Sequence, residues 1–236
     1  MKLALIGYGA MGQLLERLAP AQGHEIALTL TSHDAGRNPD EVVAELRGCD
    51  VAVDFSVAAA VRKNIEACML AEVALVEGTT GWKLNADELR DKVSAADGAL
   101  VYGANFSVGV QLFYRISTAA AELFRNLEAY DGFIEEAHHK RKRDAPSGTA
   151  LQLGKVVAEH LGHEVPISST RAGHIPGTHR VGFDSSADQI TLEHVARSRE
   201  GFAAGALMAA QWIVGRKGLF EFSEVFDEII ESFRTV

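Results

Sequence analysis

Apolar and polar positions follow one rhythm through the first hundred residues and another beyond. Residues 2–6 form a short apolar run that ends at Gly7-Tyr8-Gly9-Ala10-Met11-Gly12. An amphipathic stretch over 11–21 follows, with Leu14, Leu15 and Leu18 on one face, so the segment predicts strand, glycine turn, helix. Further strands are predicted over 25–31, 51–55, 73–76 and 99–102, with helices over 40–47, 58–70 and 85–96 between them. The last of these helices opens with a capping-box spacing, Asn85-Ala86-Asp87-Glu88. Strands alternating with helices predict a parallel, doubly wound sheet with right-handed crossovers.

After Asn105 the pattern changes. A long helix over 110–125 precedes a strand over 129–136, a basic segment, and a helix over 147–161. Residues 166–202 are rich in Gly, Ser, Thr and His and contain one clear strand, 189–196. A small-residue helix over 201–215 and an amphipathic helix over 221–233 complete the chain. The predicted fold class is α/β: a Rossmann-type dinucleotide-binding domain from residues 1–105 plus 206–236, with a second α+β domain over 106–205 that takes the substrate.

Composition narrows the function. With 47% hydrophobic and 23% charged residues the chain reads as an ordinary soluble globular protein. No apolar run approaches the ~20 residues of a membrane span, and the N-terminus shows no secretory pattern. Cys49 and Cys68 have no metal-ligand spacing and read as reduced thiols, which points to the cytoplasm. His174 and His179 lie in a Gly/Pro loop without the spacing of a zinc site, so no metal is expected. A net charge of -9 argues against nucleic acid as the main partner.

Candidate chemistry falls in both halves. In Gly7-x-Gly9-x-x-Gly12 the first glycine permits a tight turn, the second leaves room for a pyrophosphate, and the third allows close packing of the helix. Tyr8, Ala10 and Met11 complete that loop, and the phosphates would sit at the positive end of the helix. The second strand ends in Thr31-Ser32-His33 with no acid until Asp34. Thr31, Ser32 or Arg37 could bond a 2′-phosphate there, which favours NADPH over NADH. Gly78-Thr79-Thr80-Gly81 and Gly103-Ala104-Asn105-Phe106-Ser107 follow the fourth and fifth strands, where parallel sheets face ligands.

Residues 136–150 read Glu-Ala-His-His-Lys-Arg-Lys-Arg-Asp-Ala-Pro-Ser-Gly-Thr-Ala, a basic cluster in an acidic chain, ending at a helix start. Cations on one side and the free N–H groups of Ser147, Gly148 and Thr149 on the other suit an anionic small molecule. His138, His139 and Lys142 are the available proton sources for a hydride-transfer reaction.

This segment closely resembles the signature of the 4-hydroxy-tetrahydrodipicolinate (dihydrodipicolinate) reductase family, as do Gly78–Gly81, the Ala104–Val110 run and Asp54-Phe55-Ser56. The resemblance implies NAD(P)H-dependent reduction of a cyclic imine dicarboxylate to tetrahydrodipicolinate in lysine and diaminopimelate synthesis. It implies His138 as proton donor and Lys142 as catalytic lysine. Substrate carboxylate contacts fall on His139, Gly148 and Thr149, with Ser147 close by. Gly78, Thr79, Thr80, Gly103, Ala104, Asn105 and Phe106 fall at the nicotinamide end of the cofactor. The family also implies a homotetramer formed through the second domain. The region between Thr31 and Val51 is shorter than in many members. Two other readings stay open on the residues alone: a different two-domain amino-acid dehydrogenase, and a non-catalytic NADP(H)-sensing protein.

Overall fold

The structure, a computed structural model, describes residues 1–83 and 85–234. In chain order the elements are β1 (Lys2–Ile6), α1 (Ala10–Leu18), β2 (Glu25–Leu30), α2 (Pro39–Leu46), β3 (Val51–Asp54), α3 (Val61–Ala71), β4 (Ala74–Glu77), α4 (Ala86–Ala95) and β5 (Ala99–Tyr102). They continue with α5 (Val108–Phe124), β6 (Asp131–His138), α6 (Gly148–Leu161), β7 (Ile167–Arg171), β8 (Thr178–Asp184), β9 (Gln189–Val195), α7 (Glu200–Ile213), β10 (Gly218–Glu221) and α8 (Phe222–Arg234). Two compact units result: Met1–Ser107 with Glu200–Val236, and Val108–Arg199. The return to the first unit comes at Glu200, earlier than the expected 206, because α7 is one unbroken helix.

The first unit is a six-stranded sheet, order β10-β5-β4-β3-β1-β2, parallel throughout. Strand order reverses between β1 and β3, the position where such sheets open a ligand crevice at their carboxyl ends. β3 is buried along its whole length, and β4 and β5 nearly so, which explains their unbroken apolar runs. Ala52, Leu75 and Leu100 join Ile65, Cys68, Leu89 and Val93 from α3 and α4 in one core. α7 lies so close that a Cβ on Gly205 would stand 1.9 Å from the carbonyl oxygen of Phe106.

The second unit is a four-stranded sheet, order β7-β6-β8-β9, with β6–β7 parallel and the other pairs antiparallel. Alternate residues of β6 (Gly132, Ile134, Glu136 and His138) are buried. Ile134, Val181 and Phe183 pack with Phe113 and Ala121 of α5 and Leu153 and Val157 of α6. That same face ends in two buried polar residues, Glu136 and His138.

Candidate active site

The glycine loop has the geometry its sequence predicts. Gly7 has φ +90°, and a side chain there would strike the Phe55 carbonyl at 2.6 Å. A Cβ on Gly12 would stand 2.2 Å from the carbonyl oxygen of Gly7, so α1 rests directly on the turn. Gly9 faces open space, the room a pyrophosphate needs. Gly9 also caps α1 without a side-chain acceptor, and the first turn carries no acid. The amides of Ala10, Met11 and Gly12 are thus presented to an anion, and the loop fits a dinucleotide. Tyr8 is exposed and bonds Glu16.

Beyond β2 the candidate contacts Thr31, Ser32 and Arg37 sit in a short closed turn. Ser32–Gly36 wind into a 3-10 turn closed by a reciprocal cap between Thr31 and Asp34. The Asp34 carboxylate accepts from the Thr31 amide at 2.8 Å and the Thr31 hydroxyl at 3.0 Å. Those bonds, the amide's first, hold its acid below the usual range. Arg37 pairs with Glu45 at 2.6 Å and Asp34 at 3.4 Å. Thr31 and Arg37 are therefore engaged internally with Asp34 beside the strand end, whereas the exposed Ser32 side chain has no hydrogen-bond partner among the described residues.

The other turns of this unit are braced by aromatic rings. Gly78 abuts the Phe55 ring, and Gly103 abuts Phe222. Phe55 meets Phe106 edge-on at 6.1 Å, and Phe106 meets Phe222 at 4.4 Å. Phe106 is buried, so its side chain is structural and unavailable to a ligand. Ala104 and Thr80 are exposed, whereas Thr79 is buried.

In the second unit β6 delivers Glu136 and His138 to one face. The Glu136 carboxylate accepts from His138 Nδ1 and, two-pronged at 2.7 and 2.8 Å, from Arg171. It also accepts from the Ser147 amide at 3.2 Å. Burial alone would raise this acid, yet Arg171 foremost, with Ser169 and His138, holds it down at about 2. Burial lowers the His138 pKa, against the opposing pull of Glu136. With Nδ1 facing Glu136, Nε2 is the atom left to give a proton.

Ser147 caps α6, its hydroxyl accepting from the Ala150 amide at 3.2 Å. His179 Nε2 lies 3.2 Å from the same hydroxyl. Register places Ser169, Glu136, His179 and His194 side by side across the four strands. Burial, then His138 and His194, push the His179 pKa down to about 4, so its ring is neutral. Lys142 reaches Asp144 at 2.9 Å. Gly148 is exposed with open space beside it, and Thr149 bonds Tyr114. The Nδ1 of His139 is buried and has no hydrogen-bond partner among the described residues.

The basic segment thus brings His138, Ser147 and the start of α6 together through Glu136. Sequence reasoning missed Arg171 and His179 as parts of this network and gave Glu136 no task. The period-two pattern that buries Glu136 and His138 on one face was the available signal. Among the described residues no cluster suits a metal ion, and no helix is long and apolar enough to cross a membrane.

Two family models match the chain: dihydrodipicolinate reductase, N-terminus, over residues 1–106, and dihydrodipicolinate reductase, C-terminus, over residues 109–226. A 4-hydroxy-tetrahydrodipicolinate reductase of Christiangramia forsetii is 37% identical, the match covering 98% of this chain and 100% of that protein. One of the same name from Geotalea daltonii is 33% identical over 95% and 98%. Among solved structures, a dipicolinate-bound dihydrodipicolinate reductase from Paenisporosarcina sp. TG-14 shares the fold, with TM-score 0.79 and 22% identity over 94% and 97% of the two chains.

Proposed function

The chain belongs to the dihydrodipicolinate reductase family, and from this we propose that it reduces 4-hydroxy-tetrahydrodipicolinate, by way of dihydrodipicolinate, to tetrahydrodipicolinate in lysine synthesis. It is an NAD(P)H-dependent oxidoreductase, and the loop at Gly7–Gly12 supports a nicotinamide dinucleotide. The observation that carries the reading is the Glu136–His138 pair beside the start of α6.

When bound, the cofactor supplies a hydride to a conjugated ring carbon of the substrate. The chain's residues do the rest. The amides of Gly148 and Thr149 and the Ser147 hydroxyl take one carboxylate, and His139 supports the other. Electron density displaced toward the ring is protonated from His138 Nε2, with the Lys142 ammonium stabilising the developing charge. Lys142 pairs with Asp144 at 2.9 Å and would exchange that partner for the substrate.

Gly7, Tyr8, Gly9, Ala10, Met11 and Gly12 hold the pyrophosphate, and Gly78, Thr79, Thr80, Gly103, Ala104 and Asn105 the nicotinamide end. The engagement of Thr31 and Arg37 around the Asp34 carboxylate supports NADH over NADPH, the reverse of what the sequence favours. The enzyme works as a cytoplasmic homotetramer.

The test is loss of reduced-nicotinamide absorbance with pyruvate and aspartate semialdehyde condensed in situ, run with NADH and NADPH in parallel. Oxidation requiring both carbon substrates is expected, with Lys142→Ala slowed about 10²–10⁴-fold. Coenzyme that binds but is not oxidised would sink the reductase reading. A higher kcat/KM for NADPH would overturn the assignment at Asp34.

A further inference from the structure

We infer that Glu77 is a positioning residue for the cofactor turn Gly78–Thr80, a neutral acid sharing one proton with Asp54. The inference rests on the reading of that turn as a cofactor contact. Asp54 and Glu77 end adjacent parallel strands and stand opposite each other in register, which puts both side chains on the same face. They are 0% and 1% exposed. Neither has an ion-pair partner among the described residues. Two carboxylates so placed do not both ionise.

Hydrogen bonds decide which one keeps the proton. Asp54 accepts from the Ser56 amide at 2.7 Å, the Asn64 amide group at 2.7 Å and the Thr79 hydroxyl at 3.4 Å. Glu77 accepts from the Thr79 amide through Oε1 at 2.7 Å; no N–H or O–H donor among the described residues reaches its buried Oε2, and the side chain lies within hydrogen-bonding reach of Asp54. A carboxylate is acceptor-only, so donors collect at Asp54 and the proton belongs on Glu77 Oε2. Burial, then the Asp54 charge, push the Glu77 acid up to about 9.

The other titratable groups facing Glu77 are Tyr102, its neighbour in β5, and Cys68 of α3, whose thiol is itself raised by burial and by both acids. α7, which also packs on β4, carries no titratable side chain beyond Glu200 in its first turn. The pair ties the turns after β3 and β4 together: Thr79 is held by Glu77 through its amide and by Asp54 through its hydroxyl. The Ser56 amide bridges both Asp54 and Thr79. Removing the shared proton would set two like charges against each other beneath that turn.

The experiment is fluorescence titration of NADH and NADPH binding from pH 7 to 10.5 with wild type, Glu77→Gln and Glu77→Leu. Wild type is expected to lose affinity tenfold per pH unit above about pH 9, the slope of a single required proton. Glu77→Gln, whose amide keeps both bonds without a titration, should bind as wild type does at pH 7 and lack that limb. Glu77→Leu should bind about tenfold more weakly at pH 7 through loss of the Thr79 bond. Superimposable profiles for wild type and Glu77→Gln overturn the inference. If neither coenzyme binds at pH 7, the cofactor reading fails and the positioning role with it. The shared proton is then judged on ligand-free protein. The folded state holds a proton the unfolded chain has lost, so wild type must lose melting temperature relative to Glu77→Gln between about pH 5 and 9. Parallel melting curves over that window refute it.

Discussion

Glu136 accepts from Arg171, His138 and the Ser147 amide at once, so one buried carboxylate fixes a cation, a ring and a helix start. Burial lowers the His138 pKa, and the Glu136 charge only partly offsets it. Glu136→Gln keeps the size and removes the charge, and an amide cannot accept two Arg171 donors and the ring N–H together. We expect kcat to fall about 10²-fold and the pH at which activity declines to shift downward, because His138 then loses its proton more readily. A pH–rate profile measures this. An unchanged profile with a lower kcat would reduce Glu136 to a packing role.

Elements differ in how far the sequence reveals them. α7 depends on Gly205, where a methyl group would meet the Phe106 backbone. Gly205→Ala should cost about 1–3 kcal/mol in urea denaturation, the usual penalty of overpacking; no loss would mean that α7 sits further out. The Rossmann-type strands β1 to β5 were legible because buried parallel strands leave unbroken apolar runs between amphipathic helices. β10 was not: its four residues follow Arg216-Lys217 and are only half-buried at the edge of the sheet. β7 and β8 hid for another reason, since Ser168-Ser169-Thr170 and Thr178–Asp184 carry few apolar residues to mark a period. The motif Glu136–Ala150 was legible as a candidate site, but Arg171 and His179 reach it through sheet register, which no local spacing encodes. The turn after β2 escaped too, because the Thr31–Asp34 cap is a three-dimensional closure of a short loop.

At the scale of the whole molecule, acid and base act on different units. In the second unit His179 is neutral when folded, whereas the unfolded chain takes a proton near pH 6.5. Stability therefore falls as pH drops from about 6.5 to 4, by up to about 3 kcal/mol from this ring. Wild type should therefore lose roughly 5–10 °C more melting temperature than His179→Gln between pH 7 and pH 4.5, a comparison in which the opposing Glu77 contribution cancels. Parallel curves for the two proteins would show that His179 charges freely in the native state. Glu77 acts in the opposite sense in the first unit, so the stability maximum lies between the two.

The parallel sheet takes its sixth strand, β10, from beyond the second unit. During synthesis the segment Val108–Arg199 is therefore complete, and free to fold, while the sheet before it still lacks an edge strand and the helix α7 that covers it. At about 5–20 residues per second the ribosome leaves the early strands waiting for several seconds or more. For that interval the unpaired side of β5 is the part of the nascent chain most in need of a chaperone.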